Sequence, residues 1–376
     1  MDFTLSEDQK MLADTVQSFA KQSSPVERFR ELRNDDTGWD KAVWKQMGEL
    51  GWLSVPFPES VGGFGGTFFD VGLVLEKLAT TLVPEPYLPS VVLGGLSILH
   101  AGNEEQQARY LTPMIEGKTS LALAHAERQS RYDPRRCATE AIANGDGFVL
   151  RGEKVYVLNG HAADHIVVSA KTSDGVSLFV VDRGAENLSI ETLKTVDGHR
   201  AGAIALDGVR VESAARLGGA DGADVLERVL DYGAAAVCAE GVGIAQTMLD
   251  MTTAYLKERE QFGVAIGTFQ ALQHRTVDMF IETELCRSMM FLALVGAEQS
   301  DPADRRRDVS AAKVQLATGG GFVAREGIQL HGGIGITDEH DIGLYFKRMT
   351  AINALFGDEE HHVERFANLP GFSLEH

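Results

Sequence analysis

The sequence predicts an α+β fold, mostly α, in which a β-rich middle segment separates two helical ones. Three observations point there. Apolar residues recur at helical spacing through the first segment, and over residues 120–215 they switch to short strand-like runs between turn residues. From 221 to 370 helical spacing returns. The expected modules are an N-terminal helical domain over 1–119, a middle antiparallel β-sandwich or barrel over 120–220, and a C-terminal four-helix bundle over 221–373. The closing Leu374-Glu375-His376 is read as a tag remnant.

In the first segment, Ser6 with Gln9 fits a capping box, and Leu12, Val16 and Phe19 follow at i, i+4, i+7. A second helix is expected from Asp40 to Leu50. Gly62–Gly66 (GGFGG) is a turn. A phosphate cradle is the weaker reading, since no strand precedes it and the spacing is not GxGxxG. Helical pattern resumes at Asp70, breaks at Pro84, Pro86 and Pro89, and persists to Gly117. In the middle segment LALAHAE, GFVLRGEKVYVLNG, HIVVSAKT, VSLFVVD and GAIALDGVRVES read as strands, with Ser173-Asp174-Gly175 as a hairpin turn. In the third, Val237, Gly241, Ile244, Met248, Met251 and Tyr255 form one helical stripe and Val277, Ile281, Leu285 and Leu292 a second. Two further helices are expected over Ala311–Leu330 and Ile352–Ala367, packed as an antiparallel bundle.

Composition narrows the function. Thirty-five basic and 54 acidic residues leave a net charge of −19, which excludes a broadly basic surface for nucleic acid or anionic membrane. Cys137, Cys238 and Cys286 are odd in number and far apart, so neither a zinc knuckle nor a disulfide framework is expected. No run of about 18 apolar residues predicts a membrane span, and the opening MDFTLSEDQK has no charged-then-apolar leader. A reduced, cytoplasmic protein is the expectation.

Common catalytic signatures are missing: no GxSxG, HExxH, Walker loop or Rossmann fingerprint occurs. His161 and His165 would share a face only on a helix, and their surroundings read as strand and turn, which argues against a metal site. Asp358-Glu359-Glu360-His361-His362 reads first as the acidic opening turn of a helix. Arg305-Arg306-Arg307 reads as a solvated helix start. Two stretches resist such accounts. Tyr255–Gly263 followed by Ile266–His274 puts Arg259, Phe262 and Gln270 at a helix–turn–helix junction. Gln329–Gly335 sets two adjacent glycines after a helix, either as a cap or as a place where backbone N–H groups approach a phosphate.

REQFG with FQALQH, then QLHGGIG, resembles the acyl-CoA dehydrogenase superfamily. The resemblance spans nearly the whole chain. Pro58–Gly63 is similar to the N-terminal domain of that family and GEKVYVLNGHAADHIVV to its flavin-side strand pair. HAERQSRYD, QHRTVDMF and YFKRMTAINALFGDEEHH are most similar to the small subunits of pimeloyl-CoA dehydrogenases. The resemblance implies FAD, an acyl-CoA thioester substrate, α,β-desaturation by a carboxylate base, and an electron-transferring flavoprotein as acceptor. It also implies a homo- or hetero-oligomer, dimer or tetramer, with FAD at a subunit interface.

The family's pyrophosphate and adenosine contacts, given by one subunit to its neighbour, are kept as Arg259, Phe262, Gln270, Gln329, Gly332 and Gly333. A guanidinium forks two phosphate oxygens well. The flavin-ring set is altered. The family's T-E-P-x-A-G-S-D loop reads Ala126–Asp133, with Ala126 and Tyr132 at the hydroxyl positions, and its W-I-T strand reads Tyr156-Val157-Leu158. The catalytic Glu aligns with Gly357, and the alternative base of some relatives with Gly233. Asp358 is the candidate relocated base, against a helix-cap role; Glu240, two turns beyond Gly233, is a second carboxylate in reach. CoA phosphates or a distal carboxylate on the acyl chain demand a local basic patch, for which Arg128 and Arg131, near Arg135 and Arg136, are candidates beside a solvated-loop reading. Asp231 falls, as an exposed acid, where the family has an acidic CoA contact.

Two functions stand out. One is a base-deficient small subunit of a hetero-oligomeric acyl-CoA dehydrogenase that lends FAD contacts in trans. The other is a self-sufficient homo-oligomeric FAD enzyme, dehydrogenase or related oxidase or monooxygenase, with a relocated base. A flavin-free helical scaffold fits REQFG and QLHGG poorly.

Overall fold

A computed structural model describes residues 5–218 and 222–371. The tag remnant read at 374–376 lies outside the described residues. The helices in chain order are α1 (Glu7–Ser23), α2 (Val26–Leu32), α3 (Lys41–Glu49), α4 (Phe68–Ala79), α5 (Leu96–Ala101), α6 (Glu104–Ile115), α7 (Gly222–Glu258), α8 (Gln270–Ala297), α9 (Pro302–Gln315), α10 (Gly321–His331), α11 (Ile342–Ala354) and α12 (Glu359–Ala367). The strands are β1 (Leu121–Ala124), β2 (Glu140–Asn144), β3 (Gly147–Leu158), β4 (His165–Thr172), β5 (Gly175–Asp182), β6 (Leu188–Lys194), β7 (Arg200–Glu212), β8 (Arg216–Leu217), β9 (Glu260–Gln261) and β10 (Val264–Ala265). They form two compact units. One comprises Glu31–Thr67 and Pro84–Gly233, the other Met1–Arg30, Phe68–Val83 and Ala234–His376.

The first unit holds the large sheet. Its strand order is β6-β7-β3-β2-β4-β5-β8, with β1 paired to β4. Pairings are antiparallel except β1–β4 and β2–β4, which are parallel. Thr172 pairs with Gly175 at the end of the β4–β5 hairpin, so the predicted turn is made by Ser173-Asp174. Leu150, Val157, Ile166, Val168, Phe179, Val181, Ile204 and Leu206 build the core on one face. In the same unit Asp40 caps α3 by accepting the Ala42 N–H at 2.7 Å. The helical character expected to about Gly117 ends with α6 at Ile115, and Gly117 turns the chain at φ +68°. The GGFGG turn is no phosphate cradle. The N–H groups of Gly63, Phe64, Gly65 and Gly66 already donate to Pro58, Ser54, Phe57 and Val55 carbonyls at 2.8–3.0 Å.

The second unit is helical. Ser6 and Gln9 complete the capping box of α1 through reciprocal bonds of 3.1 and 3.2 Å. Val237, Ile244 and Met248 of α7 are buried as predicted. The α8 stripe is the opposite of its prediction. Met279, Thr283, Cys286, Met290 and Leu294 face inward, while Val277, Ile281, Leu285 and Leu292 are 38–53% exposed. The helix is apolar on both faces, so periodicity could not tell core from surface. Arg305, read as solvated, is buried and donates to the Gln299 carbonyl at 3.2 Å. It lies on the inward face of α9, whose first turn is capped by Asp301.

Candidate functional site

Arg259 follows the C-terminus of α7, its N–H still bonded to the Tyr255 carbonyl at 2.8 Å. The chain then makes the β9–β10 hairpin. Phe262 sits there in left-handed backbone, φ +56°, with its ring 92% exposed and edge-on to Phe269 at 6.1 Å. Gln270 opens α8 on the exposed side. Across the unit, α10 ends at His331, and Gln329, Gly332 and Gly333 are exposed at its end. Gly332 takes φ +63°, and a Cβ on either glycine would meet open space. One contact that sequence reasoning missed joins the two stretches. The His331 ring stacks on Tyr255 at 4.6 Å and is flanked by His340 at 4.6 Å, while its Nδ1 bonds the Gly327 carbonyl at 2.7 Å. Burial, partly opposed by the Gly327 bond, pushes the His331 imidazole below its ordinary pKa. Tyr255 lies one turn before Arg259 and His331 adjoins Gly332, so a neutral imidazole holds hairpin and turn together.

This group fits the pyrophosphate and adenosine half of FAD. A guanidinium with no partner among the described residues, an exposed ring and two glycines with open space are what such a ligand needs. His331 Nε2, buried and without a hydrogen bond, is a further polar atom at the turn.

The loop ahead of β2 is a poor match to the ring half. Glu127 is buried and accepts from Lys154 Nζ at 2.6 Å, Thr139 Oγ1 at 2.7 Å, Ala138 N at 2.7 Å and Thr139 N at 3.0 Å. Burial alone would raise its carboxyl. The Lys154 bond and charge and the Thr139 and Ala138 donors outweigh it and hold the group down at about 2. Ser130 turns inward and bonds Glu127 backbone at 2.9 and 3.0 Å. Arg131 occupies the glycine position of the family loop in left-handed backbone, φ +46°. Tyr156 likewise has φ +52° and is exposed. Ala126 and Leu158 have no side-chain donor at all. His125, at the loop's start, has a buried Nδ1 without a partner, and burial with the Lys154 charge lowers its imidazole to about 4.

The candidate bases are engaged elsewhere. Asp358 caps α12, accepting the His361 N–H at 3.0 Å. Glu240 forms a half-buried ion pair with Arg348 through both carboxylate oxygens. Gly233 is buried within α7. On the sheet-bearing unit, Arg135 pairs with Asp224 and Glu227, and Arg136 with Asp133 at 3.6 Å. Arg128 and Arg131 have no ion-pair partner among the described residues, and Arg128 borders a cavity of about 360 Å³ with Glu153, Val155, Ser189 and Glu191. Asp231, expected at the surface, is 2% exposed, because it points to the inward face of α7. His161 and His165 bond the Thr37 carbonyl and Asp182.

Comparison with known proteins gives the family. The N-terminal, middle and C-terminal domain models of the acyl-CoA dehydrogenases match residues 6–118, 122–209 and 220–368. A probable acyl-CoA dehydrogenase of Bacillus subtilis, YngJ, is 33% identical over 91% of this chain and 92% of its own length. A variant of the Tcur3481-Tcur3483 steroid ACAD superposes with TM-score 0.88 at 31% identity, over 97% of this chain and 98% of that one. The ChsE4-ChsE5 complex of Mycobacterium tuberculosis matches at TM-score 0.88 and 28% identity, over 99% and 100%. No helix among the described residues is long and apolar enough to cross a membrane. The chain belongs to the acyl-CoA dehydrogenases, the FAD-dependent oxidoreductases that desaturate acyl-CoA thioesters.

Proposed function

We propose that this chain is the base-deficient small subunit of a hetero-oligomeric acyl-CoA dehydrogenase. One observation carries the reading: Arg259, Phe262, Gln270, Gln329, Gly332 and Gly333 are exposed, whereas Ala126 and Leu158 offer no side-chain donor and Gly357 no carboxylate. When bound, FAD supplies the two-electron oxidant of α,β-desaturation. Arg259 would pair with phosphate oxygens, Phe262 would cover an apolar face of the ligand, and Gln270 and Gln329 would donate from either side. The backbone at Gly332-Gly333 would approach the phosphates across the open space beside these glycines. The partner, a second acyl-CoA dehydrogenase-like chain, would bring the carboxylate that removes the α-proton and the donors that hold the thioester oxygen. Two similar structures, the Tcur3481-Tcur3483 protein and the ChsE4-ChsE5 complex, carry names of two components, which supports a mixed assembly. The exposed apolar face of α8 supports an assembly of some kind.

Arg128 and Arg131 are proposed to meet a phosphate of CoA or the distal carboxylate of a dicarboxylyl-CoA. An electron-transferring flavoprotein as acceptor, a cytoplasmic location and domain limits of 1–119, 120–220 and 221–373 complete the reading.

The test is FAD per chain, by visible absorbance, on the protein purified alone and after mixing with a base-bearing chain of the family. Little flavin alone and uptake on mixing is the expected result. About one FAD per chain, bleached by an acyl-CoA without a partner, would overturn it and favour a relocated base such as Asp358.

A further inference from the structure

Between α11 and α12 the backbone does something unusual at the position aligned with the family's base. Phe356 and Gly357 are both left-handed, at φ +59° and +122°. A Cβ on Gly357 would lie 2.5 Å from His361 Cδ2, 2.6 Å from His362 Nε2 and 2.8 Å from His362 Cδ2. Heavy atoms pack favourably at about 3.5–4.0 Å, so these separations are steeply repulsive.

The two imidazoles differ in how freely they can yield. His361 is half-buried and packs edge-on to His362, centroids 5.2 Å apart. His362 is 1% exposed, with Nδ1 3.2 Å from Ser310 Oγ and Nε2 3.2 Å from the Phe356 carbonyl. A carbonyl accepts only, so Nε2 carries the proton and Nδ1 accepts from the serine hydroxyl. Rotating this ring would break both bonds inside the bundle. The loop is pinned at each end as well. Buried Lys313 Nζ donates to the Ile352 and Asn353 carbonyls at 3.0 and 3.2 Å, and Asp358 caps α12. Neither end can slide to make room.

We propose that His362, with His361, closes position 357 to every side chain, so that the α-proton base of the working assembly is a carboxylate on a second chain of the family and cannot be regained here by one substitution. The identity of the base rests on the half-site reading; the closure does not.

Thermal unfolding of the full chain without cofactor tests the closure. Gly357→Ala should lower Tm by about 4 °C, from a strained left-handed alanine plus overpacking. His361→Ala alone should move Tm by less than about 1 °C, because it removes one partly exposed ring. The double variant should recover part of the loss, since one of the two rings is gone. A Gly357→Ala chain within about 1 °C of the parent, or a double variant with no recovery, overturns the proposal. So does a Gly357→Glu chain that keeps the parent Tm and exchanges the α-proton of an acyl-CoA for solvent deuterium. The two readings fail separately. A parent that turns over alone while Gly357→Ala is destabilised sinks the half-site and keeps the closure; an inert parent with a tolerated alanine does the reverse.

Discussion

Replacing Glu127 by alanine probes how the loop bearing Arg128 and Arg131 is held. In the folded chain the Glu127 and Lys154 side chains are 3% and 0% exposed, with Oε1 and Nζ 2.6 Å apart. Alanine would leave the ammonium inside the sheet with Ser169 Oγ at 3.0 Å and Cys137 Sγ at 3.7 Å as its remaining neighbours. Breaking a buried pair by removing one partner costs about 3–5 kcal/mol. Linkage gives a similar size. The carboxyl falls from an ordinary 4.5 to about 2 in the fold, which corresponds to about 3 kcal/mol. A depressed carboxyl stabilises above its unfolded pKa, so this contribution is complete above about 4.5 and fades as pH falls toward 2. Urea unfolding at pH 7 should therefore show Glu127→Ala less stable by about 3 kcal/mol or more. Adding Lys154→Met should return only part of that, because the Thr139 and Ala138 donors still lack their acceptor. A loss under about 1 kcal/mol, or a parent and Glu127→Gln with the same pH dependence between 4.5 and 2, would refute the account.

Three other outcomes are expected. Burial, with the charges of Lys313, Arg365 and His361, lowers His362 from 6.5 to about 2, so the unfolded chain binds the proton first. Stability should then be flat above pH 7 and fall by about 2 kcal/mol on going to pH 5, and His362→Asn should flatten that slope in urea titrations. Arg259→Ala, at an exposed site, should leave Tm unchanged yet weaken FAD uptake by the mixed assembly about 10- to 100-fold, read by flavin absorbance. Leu285→Asp, on the outward face of α8, should raise the dissociation constant of the assembly at least about 30-fold in sedimentation while circular dichroism stays the same.

The parts of the fold that were legible in the sequence are the local ones. A capping box, a hairpin turn and the Arg259 and Gly332 motifs each depend on a few neighbouring residues, and each appears where its pattern put it. The misread parts depend on which face meets what. Both faces of α8 are apolar, so spacing alone could not choose the inward one. The Tyr255–His331 stack joins residues far apart in sequence and carries no local signal. The Glu127–Lys154 pair did leave one. Lys154 has the same strand parity as buried Leu150, and a charge on the apolar side of a strand calls for a buried partner. Gly357 read as a lost carboxylate, but only the packed His362 ring shows why no side chain stands there.

Stability separates what this chain keeps for itself from what it presents to a ligand. Glu127, Lys154, Lys313 and His362 are buried and hydrogen-bonded, and folding alone explains them. Phe262 is the contrary case. Its ring is 92% exposed on left-handed backbone, which costs about 1 kcal/mol or more of strain. Its edge contact with Phe269 returns a similar amount, about 0.5–1.5 kcal/mol. Asparagine tolerates the same backbone. Phe262→Asn should therefore leave the cofactor-free chain within about 0.5 kcal/mol of the parent, the two effects cancelling. FAD uptake by the mixed assembly should fall about tenfold, since the apolar cover is lost. A variant that loses 1.5 kcal/mol or more without cofactor would mean that the ring is a folding residue, and that Phe262 needs no ligand to account for it.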